Sequence, residues 1–249
     1  MKKNKKEKNK KISQSNKKKN IKIIITIILL IIFQISLYFF AKFTPFEYHI
    51  VNIEFDNYIP FISIFVFPYI LWYISLFLVP YLFSKYDETL YQVYIKTILI
   101  SLLIAFLIYY FYPTTLIRDN VVVKDIPTYL ISLIYELDTP ALNCLPSAHC
   151  ILSFVHIYIT LIIEKMNKKV KLLIIIQSIL VILATVFIKQ HVIVDVISAF
   201  ILSLVVYLIT YFYAKKNLSS AKSWVTIIAV LFSFFIMLYK SSERVILVW

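Results

Sequence analysis

The sequence predicts an all-α fold: a polytopic membrane helical bundle of about six core transmembrane helices plus one additional span. Three observations carry that prediction. Apolar residues fill 61% of the 249 positions and charged residues 16%, against about 45–50% and about 25% in soluble domains. The mean hydropathy is +0.84, more apolar surface than a soluble domain of this length can hide. Apolar stretches of membrane-crossing length then recur along the whole chain. Glycine is absent, which excludes a glycine-rich phosphate loop and a dinucleotide-binding turn.

Taken in order, residues 1–20 form a basic tail expected to be disordered, and the first span runs from Ile21 to Phe40 with Gln34 almost its only polar side chain. A mixed stretch containing Glu47, His49, Glu54 and Asp56 leads to a second span over Phe61–Phe83, with Pro68 and Pro80 inside or near its end. After the polar turn Lys85–Glu88, a third span covers Tyr91–Phe111. The longest non-spanning segment, Pro113–Pro146, follows, and its Tyr129–Tyr135 portion suits a short helix along the membrane surface. Spans four to six cover Ala148–Ile163, Val170–Ile188 and Val192–Tyr213. Residues 21–213 thus read as one helical membrane domain. Residues 214–249 read as a loop and a peripheral transmembrane helix over Trp224–Tyr239.

Of the net charge of +13, the first 22 residues supply +10, from eleven lysines and one glutamate. A basic tail can bind nucleic acid, but this one runs directly into a hydrophobic helix, so an anionic lipid surface is the expected partner and nucleic acid is not. With the N-terminus cytoplasmic, that side also takes Lys85, the lysines at 165, 168, 169 and 171, and those at 215, 216 and 222. The opposite side receives only Lys42, Arg118, Lys124, Lys189, Lys240 and Arg244. The lysine and arginine bias therefore predicts a multi-pass protein of the cell membrane, N-terminus in the cytoplasm and the long loop outside. Cys144 and Cys150 form no metal-ligand pattern and no disulfide framework.

Three outward segments hold the residues fit for chemistry: Tyr112–Arg118, Leu145–His149 and Lys189–Asp195. His191 and Asp195 are four apart, so on a helix they share a face. A carboxylate there fixes the imidazole tautomer and frees the other ring nitrogen for attack. Two groups that merely hydrogen-bond at a helix end explain the same spacing equally well. Pro146 stops the loop and Ser147 suits a helix N-cap. His149 then lies in the first turn, where free N–H groups favour an anion and an imidazole can protonate a departing oxygen. Arg118 and Lys189 add positive charge suited to phosphate oxygens, or act as plain interfacial anchors. His156, seven residues past His149, reads as a buried, hydrogen-bonded histidine. Glu47, His49, Glu54 and Asp56 match no metal spacing and read as solvated loop residues.

Pro146-Ser147-Ala148-His149 followed by His191-x3-Asp195, both at outer helix ends, resembles the type 2 phosphatidic acid phosphatase superfamily. The segments Tyr112-Pro113-Thr114 through Arg118 and Lys189-Gln190-His191-x3-Asp195 look closest to its inositolphosphotransferase-like branch. The resemblance covers about residues 60–213 and implies that His191 takes the phosphoryl group as phosphohistidine and that Asp195 orients it. It further implies that His149 protonates the leaving alcohol and then activates the acceptor, and that Arg118, Ser147 and Lys189 hold the phosphate. No compact carboxylate cluster stands in the sequence, which argues against a required magnesium ion, and no cofactor is expected. The chain departs from the family pattern where Phe111 stands for a lysine, Asp119 for a proline, Ala148 for a glycine, and Ala184 and Thr185 for Ser-Arg.

The expectation is therefore a membrane-embedded lipid phosphate phosphatase working at the outer interface, with a phosphorylated lipid as substrate. A phosphotransferase passing a lipid-linked headgroup to an alcohol, or a non-catalytic lipid-phosphate-binding or transport protein, are the alternatives.

Overall fold

A computed structural model of the protein describes residues 2–41 and 46–216, with side chains from residue 17 onward. Seven α-helices appear among the described residues. They are α1 (Lys2–Ala41), α2 (Val66–Tyr86), α3 (Glu88–Phe111), α4 (Ile126–Leu137), α5 (Ala148–Ile162), α6 (Lys168–Phe187) and α7 (Ile193–Lys215). Five of them, α1, α2, α3, α6 and α7, are long and apolar enough to cross a membrane. The span expected over Trp224–Tyr239 lies outside the described residues.

Local chemistry explains most boundaries. Asp87 caps α3 by accepting from the Leu90 N–H at 2.9 Å, Ser147 caps α5 through the Cys150 N–H at 3.3 Å, and Asn167 caps α6 through the Lys169 N–H at 2.8 Å. The second span becomes helical only at Val66, so that Pro68 falls in the first turn, where a missing N–H costs nothing. Before it stands a 3-10 turn, Ser63–Phe65. The first helix begins at Lys2, inside the stretch expected to be disordered. Lysine is a good helix former, and a helix already nucleated by an apolar span propagates into it at little cost.

The short α5 is the centre of the bundle and touches α2, α3, α6 and α7. Its side chains from Cys150 to Thr160 are buried on almost every face. Around it, α2, α6 and α7 turn large apolar side chains outward, among them Ile74, Leu173 and Ile197, as helices in lipid do. α1 packs on α2 and α3. Where α2 turns into α3, Lys19 of α1 pairs with Glu88 at 2.8 Å, and Lys85 donates to Asn20 Oδ1 at 2.6 Å.

The opposite end is where α1, α3 and α6 finish and α2, α5 and α7 begin. Two short strands, β1 (His49–Ile50) and β2 (Thr114–Thr115), pair there in parallel, and Thr115 bridges to Leu142. The Asn52 side chain accepts from the Ile117 N–H at 2.7 Å and donates to the Ile117 carbonyl at 3.0 Å. These bonds fasten the loop after the first span to the segment carrying Arg118. Helix α4 packs at this end against α2 and the turn Ser63–Phe65. Its Tyr135 hydroxyl donates to the Ile188 carbonyl at 2.7 Å, and burial pushes that phenol up to about 12, so it stays a donor.

Candidate active site

The site starts from two helix beginnings held together by the backbone. The Ser147 N–H donates to the Asp195 carbonyl at 3.2 Å, which places the first turn of α5 beside that of α7. His149 and His191 come from these two starts, and their ring centroids are 5.8 Å apart.

His191 does not lie on a helix. It sits two residues before α7, in a turn whose Gln190 and His191 N–H groups both bond back to the Thr185 carbonyl at 2.9 Å. Its Nδ1 is 3.1 Å from Asp195 Oδ2, an oxygen that also accepts from the Val192 N–H at 3.1 Å. The expected partnership therefore forms, but through a carboxylate folded back over the helix start, not through two side chains stacked on one helical face. Asp195 is fully buried.

His149 occupies the first turn of α5, as its N-cap predicts. Its ring lies 4.1 Å from that of Trp72 and 4.7 Å from that of Tyr69, both on α2. Its Nε2 is buried and has no protein hydrogen-bond partner. Both imidazoles line a cavity of about 300 Å³ with Tyr38 of α1, Tyr69 and Trp72 of α2, Asp138 and Gln190.

The other expected phosphate ligands divide. Ser147 is beside the pair, fully buried, with its Oγ accepting the cap bond. Arg118 sits behind the cavity wall and lines an adjoining surface groove of about 800 Å³. Its guanidinium stacks on Tyr135 at 3.8 Å, lies 3.5 Å from Asp138 Oδ2 and donates to the Asp138 carbonyl at 3.1 Å. With its amide oxygen turned toward Arg118, the orientation that satisfies both neighbours, Gln190 joins the two, accepting from Arg118 at 2.8 Å and donating to Asp138 at 3.1 Å. Lys189 is not brought to the pair. Its Nζ donates to the carbonyls of Asp56 at 3.0 Å and Ile59 at 2.6 Å. Its backbone takes φ 55°, the left-handed position at a helix C-terminus usually given to glycine, which this chain lacks.

Asp56 is a second correction. It is buried, not solvated. Oδ1 accepts from the Ile193 N–H at 3.0 Å and Oδ2 from the Ile53 N–H at 2.8 Å, so a loop 137 residues away caps α7. Asp138, Gln190, Tyr38 and Trp72 also belong to the cavity wall without any local spacing that marks them. His156 is buried as expected, 3.2 Å from the Tyr94 hydroxyl. Burial pushes the Cys144 thiol up, which keeps it protonated and inert. Among the described residues, no group of three His, Cys, Asp or Glu side chains gathers as metal ligands do.

No curated protein and no solved structure matches the chain at a significant level. The match that does exist leaves α1 to α3 and Arg118 outside and takes in four helices, both imidazoles and Asp195. Residues 122–219 match the family model of the PAP2 superfamily, a family of lipid phosphatases and phosphotransferases.

Proposed function

We propose that the protein is a membrane-embedded lipid phosphate phosphatase acting through a phosphohistidine. The observation that carries this reading is the pair of imidazoles 5.8 Å apart, one of them backed by a buried carboxylate. An attacking atom needs about 3–3.5 Å to its target, and a hydrogen bond to the leaving oxygen about 2.7–3.0 Å. Two rings this close, both lining one cavity, can reach the same phosphate placed against them.

In the first step His191 Nε2 bonds to phosphorus, the bond from phosphorus to the lipid oxygen breaks, and His149 gives that oxygen its proton. Asp195 holds the tautomer and offsets the charge that develops on His191. In the second step His149 takes a proton from water, the hydroxide attacks phosphorus and the N–P bond breaks. Positioning and charge stabilisation supply most of the rate in such transfers.

The 15 residues of α5 reach about 22 Å against a hydrocarbon core of about 30 Å. That shortfall supports a site at headgroup depth, and the lysine bias supports the outer face of the membrane. A second reading, transfer to an alcohol as in the inositolphosphotransferase-like branch, draws support from the adjoining 800 Å³ groove, where Asn57 and Asn120 offer polar contacts for an acceptor.

The test is direct. Protein purified in detergent micelles should release diacylglycerol from a lipid phosphate with chelator present, and His191→Ala should remove that activity while the thermal unfolding curve is kept. Equal rates from both proteins defeat the assignment.

A further inference from the structure

The polar side chains of the first span are put to different uses. Thr26 and Ser36 turn their hydroxyls back on α1 itself, donating to the carbonyls of Lys22 and Ile32 at 2.9 Å, and the Tyr38 hydroxyl reaches Asp138 at 2.6 Å. Gln34 does neither. It is half-buried in an apolar stretch, and no hydrogen bond joins its amide to another described residue. An amide at such depth is costly unless a partner or a cavity receives it. Gln34 has a cavity, for it lines the same space of about 300 Å³ as His149 and His191.

Its place in that space is set by α1. Gln34 stands four residues before Tyr38, so its Cα is about 6 Å farther into the span, and helical side chains lean further toward the N-terminus. Ile35 and Phe39 of α1 and Tyr73 of α2 share in the lining and are exposed on the outside of the bundle. The cavity therefore runs from the imidazoles toward the lipid-facing side of α1 and α2. A lipid whose phosphorus rests against the two rings extends its backbone along that course, away from the loops. In a glycerolipid the nearest ester hangs from the carbon next to the one bearing the leaving oxygen, and in a sphingolipid the amide hangs from the corresponding carbon. A polyprenyl chain has no carbonyl there. An N–H donor one turn below the phosphate is placed to meet such a carbonyl.

We propose that Gln34 is a specificity-determining residue whose amide N–H donates to the backbone carbonyl of the substrate, so that the site selects acylated lipid phosphates over those lacking a carbonyl at that position. The selection rests on the phosphoryl-transfer reading above, because the phosphate held by the imidazoles sets the depth of the carbonyl. The bond is made in the ground state and kept in the transition state, so it acts on KM and leaves the chemical step alone.

The experiment uses the full chain in mixed micelles with phosphatidate, its dialkyl ether analogue of the same chain length, and ceramide 1-phosphate. Release of inorganic phosphate is the readout for all of them. Phosphatidate and its ether analogue carry the same phosphate and differ only at the carbonyls. One neutral hydrogen bond corresponds to about three- to tenfold in affinity, so wild-type kcat/KM should favour the ester by that factor. Gln34→Met, apolar and of similar length, should bring the two lipids level by raising KM for the ester. Damage to packing lowers both rates alike and leaves their ratio standing. A ceramide 1-phosphate rate near that of phosphatidate, cut equally by Gln34→Met, identifies a carbonyl of either lipid as the ligand, and a rate at the ether level singles out the glycerol ester. A wild-type ratio near one, or a ratio that Gln34→Met leaves unchanged, overturns the proposal. Gln34→Leu reads the same ratio if the methionine variant does not fold. Full activity in His191→Ala, or a protein inert toward every lipid, overturns the phosphoryl-transfer reading and the selection together. An inactive His191→Ala with an unselective wild-type protein overturns the selection alone.

Discussion

At the scale of single residues, the site depends on side chains whose hydrogen bonds leave little freedom. Asp195 is buried and bonds both His191 and the Val192 N–H. Asp195→Asn keeps its volume but replaces an acceptor by an amide that can support the wrong tautomer, so kcat should fall by about 10³–10⁴-fold with KM little changed. Steady-state kinetics in micelles reads that split. Lys189 behaves differently. Its ammonium holds two carbonyls of the loop before α2, and bonds to a charged donor are worth about 1.5–3 kcal/mol each. Lys189→Met should therefore lower thermal stability while leaving KM for the lipid unchanged. A raised KM with unaltered stability would make it a phosphate ligand after all.

Helices and loops add constraints that no single residue carries. The start of α7 has no side-chain cap of its own at Val192 and takes Asp56 from a distant loop instead. Asp56→Ala would leave the N–H groups of Ile53 and Ile193 without acceptors. The expected cost is about 2–4 kcal/mol of stability, with a loss of activity from the displaced His191 turn that Asp56→Asn partly restores. Helix α2 contributes through packing. Trp72 and Tyr69 hold the ring of His149, so Trp72→Leu should reduce kcat by about ten- to a hundredfold through misplacement of the imidazole, and Trp72→Phe far less. The Ser147 cap shows how much of this was legible. Proline, serine and a following apolar run mark the start of α5 in the sequence, and the helix begins where they say. The turn holding His191 was not legible, because bonding to the Thr185 carbonyl leaves no periodic trace.

For the whole molecule, the bundle sorts its charges by end. The site gathers where α5 and α7 begin, and the Lys19–Glu88 pair lies at the far end of α3. With the lysine-rich end in the cytoplasm, a cysteine placed at exposed Glu136 should react with an impermeant thiol reagent on intact cells. One placed at exposed Lys168 should react only after the membrane is opened. The native cysteines are buried and should stay silent. The opposite labelling pattern reverses the orientation. The helix that the lysine tail joins also reaches the site, because Tyr38 of α1 bonds Asp138 100 residues away.

The sequence by itself determined the helical membrane class, the approximate limits of six helices, five of them of membrane-crossing length, the short helix between the third and fourth, and the two histidine segments. Those follow from hydropathy, capping residues and local spacing, which act over a few turns of chain. Tertiary structure alone decided which polar groups became neighbours. It buried Asp56 as a cap, drew Lys189 to loop carbonyls, turned Arg118 toward Asp138 and set that carboxylate beside two imidazoles. A buried polar group must find a partner wherever the packed helices supply one, and partners more than a hundred residues apart leave no mark in either local pattern.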